Sequence, residues 1–226
     1  MQLHIPTEFK RNEWFDRLNT IWWIAALVRL RTSPATVIPV ISDRPFDAIP
    51  ERWQEANLLS IEVSPRRILP DDSKRLTLTE DDLLWIREHW LAGGALMYKH
   101  REFSTSFQAF DYAASSGSVA LALISLWGAL EELFSPAKQE LRFRVSSSIA
   151  AFLEPPGEGR WSLHKSILKL YDARSKVAHG TGGKELEPFR ETYHLMRRVL
   201  TKILEDNHVP SRVEVEKMLF GCEPIA

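Results

Sequence analysis

Apolar residues recur at helical spacing along most of this chain, and the places where that spacing fails divide it into elements. From about Asn12 to Leu30, the residues Trp14, Leu18, Ile21, Ala25 and Val28 fall on one face, which predicts a first helix. Between Thr32 and Pro70 come Pro34, Pro39, Pro45, Pro50, Pro65 and Pro70, and no helix persists through that density of proline. The runs ATVIPVIS and LLSIEV predict one or two short strands there, and Asp71–Asp72–Ser73 reads as a boundary.

From Thr79 onward the pattern is helical. Thr79 followed by Asp82 predicts an N-cap with an acid at N3, leading into Leu83, Leu84, Ile86 and Trp90. Gly93–Gly94 is expected to interrupt this helix. A helix is expected from Ser104 to Ser115, with Phe107, Phe110 and Ala114 inward. A buried one follows from Val119 to Phe134, and Ser135–Pro136 opens the next, running to about Leu153. PPGEGR reads as a loop, Ser162 as the start of a helix ending at His179–Gly180, and residues 185–206 as one more. Pro210–Ser211 starts a short last one. The expected fold class is mainly α: a helical bundle over residues 76–226 behind a small mixed α/β region over residues 1–75.

Composition refines this picture. The chain has 226 residues, 44% hydrophobic and 26% charged, which is ordinary globular usage. Its net charge of −1 excludes nothing, but the distribution is uneven. Asp71–Ser135 holds ten acidic and five basic residues, whereas Pro136–Asp206 holds nine acidic and thirteen basic, a hint of an anionic partner for the second half. Cys222 is the only cysteine, so no disulfide forms within the chain and a reducing, cytoplasmic setting is expected. The apolar runs Ile21–Val28 and Val119–Leu130 are too short to span a bilayer, so no membrane partner is expected.

One residue breaks the pattern. On the predicted helix from Ser162, the residues Leu163, Ile167, Leu170, Arg174 and Val177 form one stripe, and Arg174 stands where an aliphatic belongs. Arginine is almost never fully buried without a partner. Three readings follow: a buried ion pair with Glu131 that fixes helix register, an anion-binding cleft, or an exposed stripe end. Glu131 and Glu132 follow the apolar run Val119–Leu130, so one of them should point inward. His179 lies five residues beyond Arg174, about 140° around a regular helix. Gly180 offers a helix C-terminus at which His179 turns away from that wheel. The negative end of the helix dipole favours an imidazolium there. A plain cap and a proton-transfer group are both open readings of this histidine.

The stretch R-S-K-V-A-H, Arg174 to His179, has the R-x(4–6)-H pattern of the HEPN superfamily. The surrounding LYDARSKVAHG, with LISLWGALEELF (Leu123–Phe134) upstream, resembles its ApeA-like branch, found in bacterial anti-phage defence proteins. The resemblance covers about Thr79 to Asp206. It implies a homodimer in which two such motifs meet in a cleft, and a metal-independent endoribonuclease acting as a defence or toxin effector. It implies Arg174 and His179 as the catalytic pair and Glu131 as the acid that orients Arg174. Ser175 stands where active members often carry Asn, Asp or His. The alternative is a catalytically inactive module for dimerisation or RNA binding.

The residue types suit that chemistry. RNA is cut when its own 2′-hydroxyl attacks the neighbouring phosphate, which needs a proton acceptor, a proton donor and cations for the phosphorane. Histidine suits acid–base work, worth about 10²–10⁴-fold. An arginine fork grips two phosphate oxygens and keeps its proton. Ser175 can donate a hydrogen bond, and Lys176 and Lys184 are candidates for flanking phosphates as well as ordinary surface lysines. GTGGK (Gly180–Lys184) fails the P-loop pattern, since Ala178 replaces the first glycine and Glu185 the Ser or Thr. No nucleotide cofactor is therefore expected. The seven histidines show no ligand spacing, so no metal or other cofactor is expected. Tyr171 reads as packing, His194 as a core or surface histidine, and Asp172 with Lys176 as a surface pair.

Overall fold

Asp16 opens the first helix, α1 (Arg17–Arg31), by accepting a hydrogen bond from the Asn19 backbone, which satisfies one of the free N–H groups of the first turn. The computed structural model describes residues 2–6, 8–9, 15–51, 53–62, 77–134, 140–178 and 186–222. Within them lie eight helices and one two-stranded sheet, so the chain is a mainly α bundle with a small α/β part near its N-terminus. After α1 come strands β1 (Val40–Ser42) and β2 (Leu58–Ser60), antiparallel, with Ile41 opposite Leu59. They fall within the two β-prone runs, as the sequence predicts. The boundary at Asp71–Ser73 and the inward residue Trp14 lie outside the described residues.

The bundle proper is α2 (Glu80–Lys99), α3 (Arg101–Ala113), α4 (Val119–Phe134), α5 (Leu141–Leu153), α6 (Glu158–Ala178), α7 (Leu186–Glu205) and α8 (Arg212–Leu219). Thr79 and Asp82 form the expected reciprocal cap of α2, and Ser211 with Glu214 does the same for α8. The core is built largely of aromatic and aliphatic side chains, with Trp23, Phe103, Phe107, Phe110, Trp127, Phe134, Phe189 and Tyr193 fully buried. Helix α1 shares it. The Trp23 indole N–H donates to the Trp90 carbonyl at 2.7 Å, and its ring lies 4.6 Å from that of Phe107.

Four local expectations need correcting. Of the stripe expected on α1, Ala25 and Val28 are buried but Leu18 is exposed; every residue from Ala25 to Leu30 is enclosed, and Trp23, Ala26, Leu27 and Leu30 lie deepest. Gly93 and Gly94 do not interrupt α2. A Cβ on Gly93 would lie 2.6 Å from Leu204 Cδ2 and 2.9 Å from Trp23 Cζ2, and one on Gly94 would lie 2.6 Å from Phe15 Cε2. These glycines let neighbouring side chains approach the helix backbone. The helix starting at Ser135–Pro136 begins instead at Leu141, because Glu140 holds a left-handed backbone (φ 54°); residues 135–139 lie outside the described ones. Helix α6 begins at Glu158, four residues before Ser162, so the loop is shorter than PPGEGR.

Gly93→Ala sets two effects against each other. Alanine favours a helix interior by about 1 kcal/mol, but overpacking costs about 1–3 kcal/mol. Trp23 and Leu204 are fully buried and cannot yield. Stability is expected to fall by about 1–2 kcal/mol, read as a lower urea midpoint at unchanged slope. A rise would mean that the close packing against α2 is not what requires glycine.

Candidate functional site

Helices α4 and α6 pack side by side, and this places Glu131 opposite Arg174. Arg174 Nη2 lies 3.3 Å from Glu131 Oε1. Of the two adjacent acids Glu131 is the inward one. Glu132 is exposed and sits 4.0 Å from Arg101. The ion pair is not sealed inside the protomer: 23% of the Arg174 side chain and 19% of the Glu131 side chain meet solvent. That partial opening separates the site from a purely internal register lock.

Tyr171, one turn before Arg174, completes the group. Its hydroxyl donates to Glu131 Oε1 at 3.0 Å, and the Arg174 guanidinium lies over its ring at 5.4 Å. The ring meets Trp127 of α4 edge-on at 5.1 Å. Burial, and then the hydrogen bond to Glu131, push the Tyr171 phenol above its ordinary range, so it remains a donor at neutral pH. Glu131 is thus fixed from two sides, and it fixes Arg174 in turn. Arg174 Nε is buried and has no hydrogen-bond partner among the described residues, whereas the guanidinium tip meets solvent. The guanidinium is held without being saturated, and an arginine presents five donors in all.

The remaining sequence candidates divide. Ser175 is half-buried beside Arg174, and Lys176 is exposed on the far side of α6. Lys176 does attract Asp172, but the main partner of Asp172 is Arg142 of α5, which grips both carboxylate oxygens at 2.6 and 2.7 Å. That bond holds the Asp172 carboxyl below the usual carboxylate range. His179, Gly180 and Lys184 lie outside the described residues. Covalent connection alone sets His179 directly after Ala178, the last described residue of α6. His194 is half-buried on α7, its ring edge-on to Tyr193 at 6.3 Å. Among the described residues no group of three or more His, Cys, Asp or Glu side chains could hold a metal ion, and no helix is long and apolar enough to cross a membrane.

Sequence reasoning passed over two groups. Tyr171 reads as packing from its flank position, and only the fold shows its hydroxyl on Glu131. The second group is a larger buried network. Arg29 of α1, only 2% exposed, donates from Nη1 to both oxygens of Asp111 on α3, from Nε to the Thr36 carbonyl, and from Nη2 to Glu62 beyond β2. The Trp22 indole also donates to Asp111, at 3.0 Å. The available signal was the one used at Arg174, an arginine among Leu27, Val28 and Leu30.

Comparison with protein-family models, with characterised proteins and with solved structures returns no match.

Proposed function

We propose that this chain is a metal-independent endoribonuclease of the HEPN type, working as a homodimer in anti-phage defence or as a toxin effector. The observation that carries the reading is the state of Arg174. Its guanidinium is anchored by an acid on the neighbouring helix, carries more donors than that one contact uses, and reaches solvent near the end of α6. A charge held half out of water interacts with an incoming phosphate more strongly than a fully hydrated one. Arg174 stabilises the phosphorane, His179 moves protons, Glu131 and Tyr171 position Arg174, and Ser175 offers a further donor. Lys176 and Lys184 are the candidates for flanking phosphates.

The step balances as an internal transfer. The 2′-oxygen forms a bond to phosphorus as its proton passes to one imidazole. The 5′-oxygen leaves and takes a proton from a second imidazole, supplied by the twin subunit. The products carry a 2′,3′-cyclic phosphate and a 5′-hydroxyl. Mixed RNA incubated with the protein in EDTA should yield those ends, and His179→Ala should not. Intact RNA with wild type, or equal cutting by His179→Ala, sinks the reading. In the second case the ion pair belongs to a silent dimerisation or RNA-binding module, which the packing of Arg174 against Glu131 and Tyr171 also suits.

A further inference from the structure

Two large aromatic side chains on α5 and α6 contribute little to the core. Trp161 is 54% exposed and Phe143 59% exposed. Both touch the same buried residue: the Phe143 ring meets the His164 ring edge-on at 5.4 Å, and the Trp161 ring stacks near it at 5.7 Å. His164 is 6% exposed, and its Nδ1 has neither a hydrogen-bond partner nor contact with solvent. Aromatic contacts, not a hydrogen bond at that nitrogen, hold the imidazole as a floor between the two rings.

Cations flank these rings. Lys165 Nζ lies over the Trp161 ring at 5.1 Å. Lys165 and Lys169 are both exposed and have no acidic partner among the described residues. Trp161, Lys165 and Lys169 are spaced four apart, so they climb one side of α6. Arg142 and Arg144 bracket Phe143 on α5, but each already pairs with an acid, Asp172 and Glu140, so Lys165 and Lys169 are the unpaired cations here. Exposed aromatic planes beside unpaired cations are the chemistry that holds single-stranded nucleic acid, with bases on the rings and phosphates on the cations.

We propose that the α5–α6 hairpin carries an anchoring site for single-stranded RNA, with bases stacking on Trp161 and Phe143 and phosphates on Lys165 and Lys169. That the strand is RNA rests on the ribonuclease reading; the stacking and charge do not. Thirteen residues separate Trp161 from Arg174, roughly 20 Å along the helix. The anchor therefore holds the strand away from the bond being cut, and acts on substrate binding more than on turnover.

The test is fluorescence anisotropy of the full chain with two labelled dodecamers, 2′-O-methyl oligouridylate, which cannot be cut by its own 2′-oxygen, and oligothymidylate. Trp161→Ala and Phe143→Ala are each expected to weaken binding by about tenfold, and Trp161→Phe, which keeps a stacking plane, to retain most of it. Both rings are exposed, so the alanine variants should keep the wild-type circular dichroism. Wild-type affinity in both alanine variants, equal loss in Trp161→Phe, or no binding by wild type overturns the proposal. So does a change of oligomeric state in Trp161→Ala without a change in RNA affinity, which would give the rings to a protein interface. The two readings fail separately. Cleavage with unaltered binding in both alanine variants removes the anchor alone. Weakened binding in Trp161→Ala, with Arg174→Ala cutting like wild type, removes only the ribonuclease assignment.

Discussion

Arg174→Ala is expected to lower RNA cleavage by about 10²–10³-fold at saturating RNA, the usual loss when one preorganised donor to a developing charge is removed. The fold should survive. The Arg174–Glu131 pair keeps contact with water, and in the variant Glu131 still accepts from the Tyr171 hydroxyl, so stability should fall by about 1 kcal/mol. Arg174→Lys retains the charge and loses the planar fork, and should recover only a small part of the rate. Glu131→Gln separates positioning from chemistry. It keeps the acceptor oxygen for Tyr171 but removes the charge opposite Arg174, so turnover should drop less than in Arg174→Ala. Steady-state kinetics on a defined RNA checks all three. A rate for Arg174→Ala within threefold of wild type, in a folded protein, would end the catalytic role of this guanidinium.

The sequence was readable where one short stretch contains the whole cause. Thr79 with Asp82 and Ser211 with Glu214 cap α2 and α8 because both partners lie within one turn. Helix α4 has the predicted bounds because its apolar run is continuous and begins just after Gly117–Ser118. Arg174 could be singled out because one charge stood on a stripe of aliphatics, and its partner could be guessed because Glu131 ended another apolar run. The reading failed where a cause comes from far along the chain. Gly93 is permitted in mid-helix by Trp23 and Leu204, which no local pattern brings to it. Helix α6 starts early because Gly157, at φ 145°, turns the chain directly into it. Trp161 and Phe143 gain meaning only when the α5–α6 hairpin sets both against His164.

Arg29 is the most consequential of these distant effects, and Asp111→Ala should expose it. Burial alone would pull the Arg29 guanidinium's pKa down. The adjacent charges of Asp111 and then Glu62 more than offset that, and hold it above the ordinary arginine range, so the guanidinium keeps its charge across the working pH range. Removing Asp111 leaves a charge that is 2% exposed with only Glu62 opposite it, and orphans the Trp22 indole N–H. Breaking a buried pair by deleting one partner costs about 3–5 kcal/mol, a large share of the roughly 5–15 kcal/mol that holds a domain folded. The same change should loosen the hairpin. Glu62 ties β2's end to Arg29 and accepts from the Ile38 backbone at 2.7 Å, and Thr36 is bound to Arg29 Nε, so both strands are fastened to α1 through one guanidinium. Replacing both partners, as Arg29→Met with Asp111→Leu, should recover part of the global stability, because no buried charge is left behind. It should not recover the hairpin, whose polar ties to α1 are gone. Urea midpoints report the first effect, and amide hydrogen exchange across Val40–Ser42 and Leu58–Ser60 reports the second. Fast exchange in the strands of a globally restored double variant is the expected signature. Strands as protected as in wild type would show that apolar packing, not Arg29, fastens them.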